Sequence, residues 1–327
     1  MSVIENNNIM SDIFSLVGEM QLELNRLLDY WINETVDAKN GGFVGRIDSL
    51  GKRDETAAKG VVLNARILWT FASAYRITKQ KKYKEIADLA YNYLINKFWD
   101  KIDGGFVWAV DYKGNVISNR KQAYAQGFGI YALAEYKRAT GSDQALEYAR
   151  QLYYIIESKY WDSKSCGYIE ALKRNWSPLD DMRLSDKDAN LPKSMNTHLH
   201  ILEPYTNLYR IWPDRQLKDS IKSIINIFQN NIIDAQTGHY NLFFEMDWTV
   251  KSQVISYGHD IEGAWLMHEA AEVIGETKLI EEVRQTSLNL VDLTLSEGLD
   301  KDGSLFNEKK ESTWTQINTG GLKQKLW

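Results

Sequence analysis

Five short segments rich in glycine and aspartate recur along the chain at intervals of roughly 60 to 70 residues. Each follows a stretch with helical periodicity and leads into an aromatic or apolar residue, as in Asp103-Gly104-Gly105-Phe106. Their glycines are Gly42, Gly105, Gly167, Gly238 and Gly303. Such composition indicates a turn followed by a short strand. The chain is therefore predicted to repeat a unit of two helices and a short hairpin.

A unit of this kind cannot bury its apolar face alone, so neighbouring units must stack against one another. Two helices per unit favour an inner and an outer circle of helices, with the hairpins at one end. The helical stretches number about nine, whereas a closed (α/α)6 barrel needs about twelve. We therefore predict an all-α fold: an incomplete (α/α)6 barrel, or six-hairpin toroid, over residues 1–311.

Charge and composition exclude several classes of partner. The net charge of -5 and a pI of about 5.7 argue against a nucleic-acid or anionic-membrane surface. Cys166 is the single cysteine, and the polar N-terminus has neither a signal peptide nor a membrane span. These features predict a cytoplasmic protein. The 11 tryptophans and 18 tyrosines suit either a sugar site or a wide aromatic core.

The segment from Ser256 to Trp265 is the first candidate for chemistry. On a helix, His259, Glu262 and Trp265 share one face, because residues three and four apart are neighbours. That face would combine a proton carrier, a carboxylate to orient it and a flat ring for a sugar. The structural alternative is the start of a helix with an ordinary, hydrogen-bonded histidine.

A second candidate face combines Asn196, His200 and Glu203, again at helical spacing. Zinc is the competing interpretation, because His198 and His200 lie near acidic residues. Two residues apart on a helix, however, these histidines point to different sides, and the sequence contains no HExxH motif. No metal site is therefore expected.

These two segments and three others together resemble one family. The others are Gly41-Gly42-Phe43, the stretch from Lys59 to Trp69 and the stretch from Tyr124 to Leu133. In this combination and order, from about Leu22 to Glu311, the chain resembles the N-acylglucosamine 2-epimerase superfamily, and within it the cellobiose 2-epimerases.

The resemblance implies an (α/α)6 barrel and a reaction that uses no metal and no cofactor. The reaction is epimerisation at C2 of the reducing-end glucose of β-1,4-linked disaccharides, which turns cellobiose into glucosyl-mannose and lactose into epilactose. The sugar ring opens, a base removes the C2 proton, and a cis-enediol intermediate is reprotonated from the other face. Such chemistry needs two proton carriers and a cation or donors beside the developing negative charge.

Site residues follow from the resemblance by position. His259 would be one of the two acid/base histidines, and Glu262 would orient it and tune its charge. Arg66 would stabilise the negative charge at O1 and O2 of the open sugar. His200 would assist ring opening.

Four further residues are expected to bind substrate: Asn196 beside His200, Tyr124 and Trp265 in the pocket wall, and Glu203. Tyr124 and Trp265 are also compatible with ordinary core positions. The remaining histidines are expected to be structural or at the surface: His198, His239 and His268.

The tail after Glu311 departs from the family pattern. The family has a Trp-Trp-x-x-Ala-Glu-Ala helix and a later Trp-Lys-x-Pro-Tyr-His segment, whose histidine is the second acid/base residue; neither is present. A second reading frame joins the third base of each codon, from Trp314 onward, to the first two bases of the next codon. In that frame the genetic code permits Asp-Thr-Asn-Lys-His-Trp-Trp-x-Lys-Ala-Glu-Ala-Met, which contains the missing helix of the family. We therefore expect residues 312–327 to be out of frame, and this polypeptide to be a weak or inactive epimerase that tends to aggregate. The nucleotide sequence across this region tests the expectation.

Other interpretations stay open at this point. They are an N-acylglucosamine 2-epimerase or aldose–ketose isomerase of the same fold, an inactive remnant, and an (α/α)6 glycoside hydrolase. A hydrolase would need two carboxylates on opposite sides of a cleft. Asp188 and Glu262 are candidates, but nothing in the sequence indicates that they lie opposite each other. The expected partner is a small sugar, and the expected state is a monomer or weak homodimer.

Overall fold

The computed structural model describes residues 3–186, 188–310 and 313–315, and the side chains of residues 15–186 and 188–310. Nine helices lie in this part of the chain. They are α1 (Val3–Thr35), α2 (Val61–Thr78), α3 (Lys81–Tyr93), α4 (Ala123–Thr140), α5 (Asp143–Lys159), α6 (Met195–Tyr209), α7 (Arg215–Ile227), α8 (Tyr257–Ile274) and α9 (Thr277–Glu297). A π-helical turn follows α3 at Leu94–Phe98 and α7 at Phe228–Ile232.

The helices form two concentric layers. In the inner layer α2 packs against α4, α4 against α6 and α6 against α8, while each inner helix also packs against the helix that follows it. The inner helix α4 is buried at every position from Ala123 to Ile130. The outer helix α7 buries only one stripe, which includes Leu217, Ile221 and Ile224. Burial all round is typical of a helix enclosed by others, and a single apolar stripe is typical of an outer helix.

Twelve short strands accompany the helices. They are β1 (Arg46–Ile47), β2 (Arg53–Asp54), β3 (Lys59–Gly60), β4 (Ala109–Val110), β5 (Val116–Ser118), β6 (Lys121–Gln122), β7 (Ala171–Leu172), β8 (Lys193–Ser194), β9 (Phe243–Phe244), β10 (Val254–Ser256), β11 (Glu308–Lys310) and β12 (Thr313–Thr315).

Every strand that precedes an inner helix pairs antiparallel with the strand that follows the outer helix of the same pair. These pairs are β3 with β4, β6 with β7, β8 with β9 and β10 with β11. All four lie at the end of the layer where the inner helices begin. The predicted all-α, (α/α)6-barrel architecture with hairpins at one end is thereby confirmed, and the described residues supply four inner and four outer helices in addition to α1. The segment predicted to be out of frame, 312–327, lies outside the described residues apart from the backbone of β12.

The turns contain a repeated buried ion pair. In three units, the lysine just before an inner helix donates to the aspartate that opens the preceding turn: Lys59 to Asp37 at 2.7 Å, Lys121 to Asp100 at 3.0 Å and Lys193 to Asp162 at 2.8 Å. An aromatic ring covers each ammonium group. The glycine of the turn leaves room for that ring, because a Cβ at Gly167 (φ +89°) would lie 2.6 Å from the Trp248 ring.

The fourth unit uses a different anchor. Ile255 occupies the position of the lysine, and the Asp260 carboxylate on α8 accepts from His239 Nδ1 at 2.7 Å and from the Tyr240 amide at 3.1 Å. Asp260 is fully buried. The first turn of α8 is therefore held directly on its hairpin.

Replacing Lys59 by methionine is expected to lower the free energy of unfolding by about 3 kcal/mol, because it leaves the buried Asp37 carboxylate without its cation. Both side chains are only 1% exposed. Urea unfolding measures the loss. The matched control is Lys81→Met, at a lysine that is 88% exposed and paired only with Glu85 at the surface. Equal stabilities of the two variants would show that the buried pair does not hold the turn.

No helix in the described part of the chain is long and apolar enough to cross a membrane.

Candidate active site

Side chains from four inner helices meet close to the ends where those helices begin. Arg66 lies on α2, Tyr124 on α4, His200 on α6 and Glu262 on α8. Each is within the first two turns of its helix. The strand pairs fix where each inner helix starts, and the start of the helix fixes which residue of the first turns faces inward. We call these four residues the inner cluster.

Arg66 and the aromatic residues of α4 form one side of the inner cluster. The Arg66 guanidinium lies 4.5 Å from the centre of the Phe128 ring and donates to the Tyr124 hydroxyl at 3.2 Å. Burial raises the pKa of Tyr124 to about 12, although the Arg66 charge opposes this shift. Tyr124 therefore stays protonated at neutral pH. A cation held on an aromatic face remains available to a negatively charged ligand.

His200 lies at the centre of the cluster, between two carboxylates. Its Nδ1 is 3.1 Å from Glu203 Oε2, one turn along α6, and its Nε2 is 3.9 Å from Glu262 Oε1 on α8. The rings of Tyr124 and Phe128 pack against it, with centroids 5.0 and 5.1 Å away. Phe128 was not singled out from the sequence, although its position four residues after Tyr124 indicates a shared helix face.

His259 begins the inward face of α8. It is half-buried, and its Nδ1 lies 2.8 Å from the Ser256 hydroxyl, three residues earlier. The resemblance implies that Glu262 orients His259, which stays a prediction, and the Glu262 carboxylate also lies 3.9 Å from His200 Nε2. The Ser-x-x-His spacing is the sequence signal for the Ser256 contact.

The remaining expected site residues differ in exposure. Asn196 is half-buried, one turn before His200 on α6, while Glu203 is 12% exposed, beneath that histidine. Trp265 follows Glu262 on α8 and is 60% exposed. Asp188, a candidate hydrolase carboxylate, accepts from Ser185 in the loop between β7 and β8. The structure therefore groups Arg66, Tyr124, His200, Glu203 and Glu262 and does not pair Glu262 with Asp188.

The other histidines have structural contacts. His198 is fully buried, accepts from the Tyr168 amide at Nε2 and donates from Nδ1 to the Ser194 carbonyl. Burial lowers its pKa to about 4, so it is neutral at physiological pH. His239 pairs with Asp260, and His268 is partly exposed beside Glu272. Within the described residues, no group of three His, Cys, Asp or Glu side chains is placed to hold a metal ion.

A buried carboxylate supports the start of α6. Glu170 accepts from Ser194 Oγ at 2.8 Å and from Thr197 Oγ1 at 2.7 Å, and both donors belong to the N-terminal turn of the helix that carries His200. Burial raises the pKa of Glu170 to about 7.

Glu170→Gln is expected to change how stability depends on pH. Because the folded pKa lies above the ordinary value of 4.5, the contribution of Glu170 is fully present below about pH 4.5 and is lost as the pH rises through about 7. The variant should gain about 3 kcal/mol relative to the native chain across this range. Urea unfolding at pH 5 and pH 8 measures the difference. Glu147→Gln, at a glutamate that is 58% exposed, is the control, and parallel pH curves for E170Q and the native chain would contradict the assignment.

Comparison with known proteins identifies the family to which the chain belongs. The family model for N-acylglucosamine 2-epimerase (GlcNAc 2-epimerase) matches residues 41–319. The cellobiose 2-epimerase of Bacteroides fragilis is 49% identical over 314 residues, which cover 93% of this chain and 80% of the relative. That of Dictyoglomus turgidum is 38% identical over 285 residues, covering 87% of this chain and 72% of the relative.

A solved structure agrees in fold as well as in sequence. The cellobiose 2-epimerase from Bacillus thermoamylovorans B4167 superposes with a TM-score of 0.87 at 38% identity, over 91% of this chain and 76% of that chain. The chain therefore belongs to the N-acylglucosamine 2-epimerase family and is a carbohydrate isomerase of the 2-epimerase type.

Proposed function

We propose that the chain epimerises C2 of the reducing-end glucose of a β-1,4-linked disaccharide such as cellobiose or lactose. The observation that carries the proposal is the inner cluster: a guanidinium, a phenol, an imidazole and a carboxylate from four different helices converge at one place. The names of the relatives at 49% and 38% identity support cellobiose as the substrate.

The proposed reaction begins with ring opening. His200 takes the proton of the O1 hydroxyl as the C1–O5 bond breaks and passes a proton to O5, which generates the C1 aldehyde. The flanking carboxylates of Glu203 and Glu262 stabilise the positive charge that the imidazole carries between these two transfers.

His259 then removes the C2 proton, which the neighbouring aldehyde has made acidic. The negative charge moves to O1 and O2, where the Arg66 guanidinium and the Tyr124 hydroxyl can donate hydrogen bonds to it. Arg66 Nε is buried and has no hydrogen-bond partner in the described residues, so the guanidinium retains donor capacity for a ligand. A water molecule returns a proton to the opposite face of C2, which gives the mannose unit, and His259 releases its proton to solvent. Asn196 and Trp265 are proposed to contact the sugar.

A panel of sugars tests this function. The chain is incubated with cellobiose, lactose, N-acetylglucosamine and mannose, and the products are identified by NMR. The expected product is a mannose unit at the reducing end of the two disaccharides, formed at the low rate expected from the sequence, and no conversion of any sugar would indicate the inactive remnant. Release of glucose would indicate hydrolysis, a ketose would indicate an aldose–ketose isomerase, and conversion of N-acetylglucosamine alone would indicate the monosaccharide epimerase.

A further inference from the structure

The residues beneath His200 are partly buried. Glu203 lies one helical turn below His200 on α6 and is 12% exposed, with Oε2 at 3.1 Å from His200 Nδ1. A contact of this length between an imidazole nitrogen and a carboxylate requires a hydrogen between them. The Nδ1 side of the ring is therefore committed to Glu203.

A stacked pair of aromatic rings lies close to Glu203. Tyr131 on α4 is partly buried, and its pKa is raised first by burial and then by the charge of the nearby Glu203 carboxylate. The phenol therefore stays protonated and neutral beside Glu203. Trp69 on α2 stacks on the Tyr131 ring, with centroids 5.0 Å apart and planes 18° apart. The Glu203 carboxylate thus has a neutral phenol as one neighbour and the His200 imidazole, which it contacts directly, as the other.

The opposite edge of the His200 ring faces the other residues of the inner cluster. Its Nε2 is 3.9 Å from Glu262 Oε1, and the rings of Tyr124 and Phe128 prevent the imidazole from turning over. A proton kept on Nδ1 leaves Nε2 as the nitrogen that can accept a proton from a ligand. The tautomer of a histidine is set in this way by the hydrogen bond that its other nitrogen makes.

We propose that Glu203 is a positioning residue that keeps the resting proton of His200 on Nδ1, so that Nε2 acts as the base in ring opening. The role of Nε2 rests on the proposed function, whereas the tautomer does not. This assignment replaces the substrate contact expected for Glu203 from the sequence, because the carboxylate lies behind the imidazole. In the step itself the O1 proton moves to Nε2, the C1–O5 electron pair moves to O5, and the imidazolium returns one proton to O5.

Nitrogen-15 NMR of histidine-labelled protein reads the tautomer directly. His200→Gln assigns the His200 signals. The native chain should show a protonated Nδ1 and an unprotonated Nε2, and Glu203→Leu, which removes the acceptor, should move the proton mainly to Nε2. Glu203→Gln keeps an acceptor oxygen and should preserve the native tautomer.

His198 provides an internal control, because it lies on the same helix with its Nδ1–H bound to the Ser194 carbonyl and its Nε2 bound to the Tyr168 amide. Unchanged His198 signals in Glu203→Leu show that α6 is intact. If they change, Glu203→Met is measured instead, because methionine also lacks an acceptor for the Nδ1 proton and is closer to glutamate in length. A His200 that keeps its proton on Nδ1 in the intact Glu203→Leu protein, or in Glu203→Met where that variant is needed, would overturn the proposal.

The kinetic readout separates this proposal from the proposed function. With cellobiose, Glu203→Leu should lower kcat roughly ten- to a hundredfold and change KM less than about threefold, because a positioned base contributes in the transition state and not in binding. A rise in KM of roughly ten- to a hundredfold at constant kcat would instead assign Glu203 to substrate binding and contradict the proposal. If the native chain does not act on cellobiose, the proposed function fails while the tautomer result still decides the role of Glu203.

Discussion

Replacing His259 by asparagine should lower the rate of hydrogen exchange at C2 of cellobiose by about a thousandfold or more. A positioned acid/base group contributes about a hundred- to ten-thousandfold to a proton transfer, and asparagine cannot accept the C2 proton. The fold should survive, because Asp260 holds the first turn of α8 through His239 and the Tyr240 amide without using His259.

The measurement is the loss of the C2 proton signal of cellobiose in deuterated buffer. His268→Asn is the matched control: it replaces another histidine of α8, which is partly exposed beside Glu272 and remote in sequence from the first turn. His268→Asn should exchange at the native rate. If His259→Asn exchanges within tenfold of native, another base removes the C2 proton and the assigned role of His259 is wrong.

Replacing Arg66 by methionine should lower kcat about a hundred- to a thousandfold and raise KM far less. Loss of one preorganised donor to a developing oxyanion has an effect of this size, because the negative charge is present in the transition state and absent from the bound sugar. Methionine fills much of the same space over the Phe128 ring, so the packing of α2 against α4 should persist.

Arg150→Met is the control for losing an arginine stacked on a ring, because the Arg150 guanidinium lies 4.9 Å from the centre of Trp212, and Arg150 belongs to the outer helix α5. Steady-state kinetics on both variants give kcat and KM separately. An Arg66→Met enzyme with native kcat and a raised KM would assign Arg66 to binding alone.

The fold follows from the sequence because its determinants are local and repeated. The glycine-containing turns and the helical periodicity predict the units, and helix α5 is predicted with the same bounds as observed, Asp143–Lys159. The start of α2 is less accurate: it is predicted near Ala57, but β3 (Lys59–Gly60) pairs with β4, some fifty residues later, so the helix begins at Val61. Pairing between distant segments leaves no local signal.

The candidate site shows the same limit. The contact between His200 and Glu203 joins residues three apart on one helix, so it follows from helical spacing. The contact between His200 and Glu262 joins α6 to α8, and no spacing rule predicts which histidine a carboxylate on another helix will reach. Phe128 and Tyr131 look like ordinary core aromatics in the sequence, and only their positions beside Arg66, His200 and Glu203 give them a place in the site.

The most direct test of the central claim is the position and number of deuterium atoms that the native chain introduces into cellobiose in deuterated water. Removal of the C2 proton needs a single base, so this measurement reports on His259 and the inner cluster separately from the step that returns a proton to the opposite face. One deuterium at C2 of the reducing-end unit, in a disaccharide that is not cleaved, is the predicted result. No incorporation above the buffer rate, or cleavage to glucose, would contradict proton transfer at C2 as the reaction of this site.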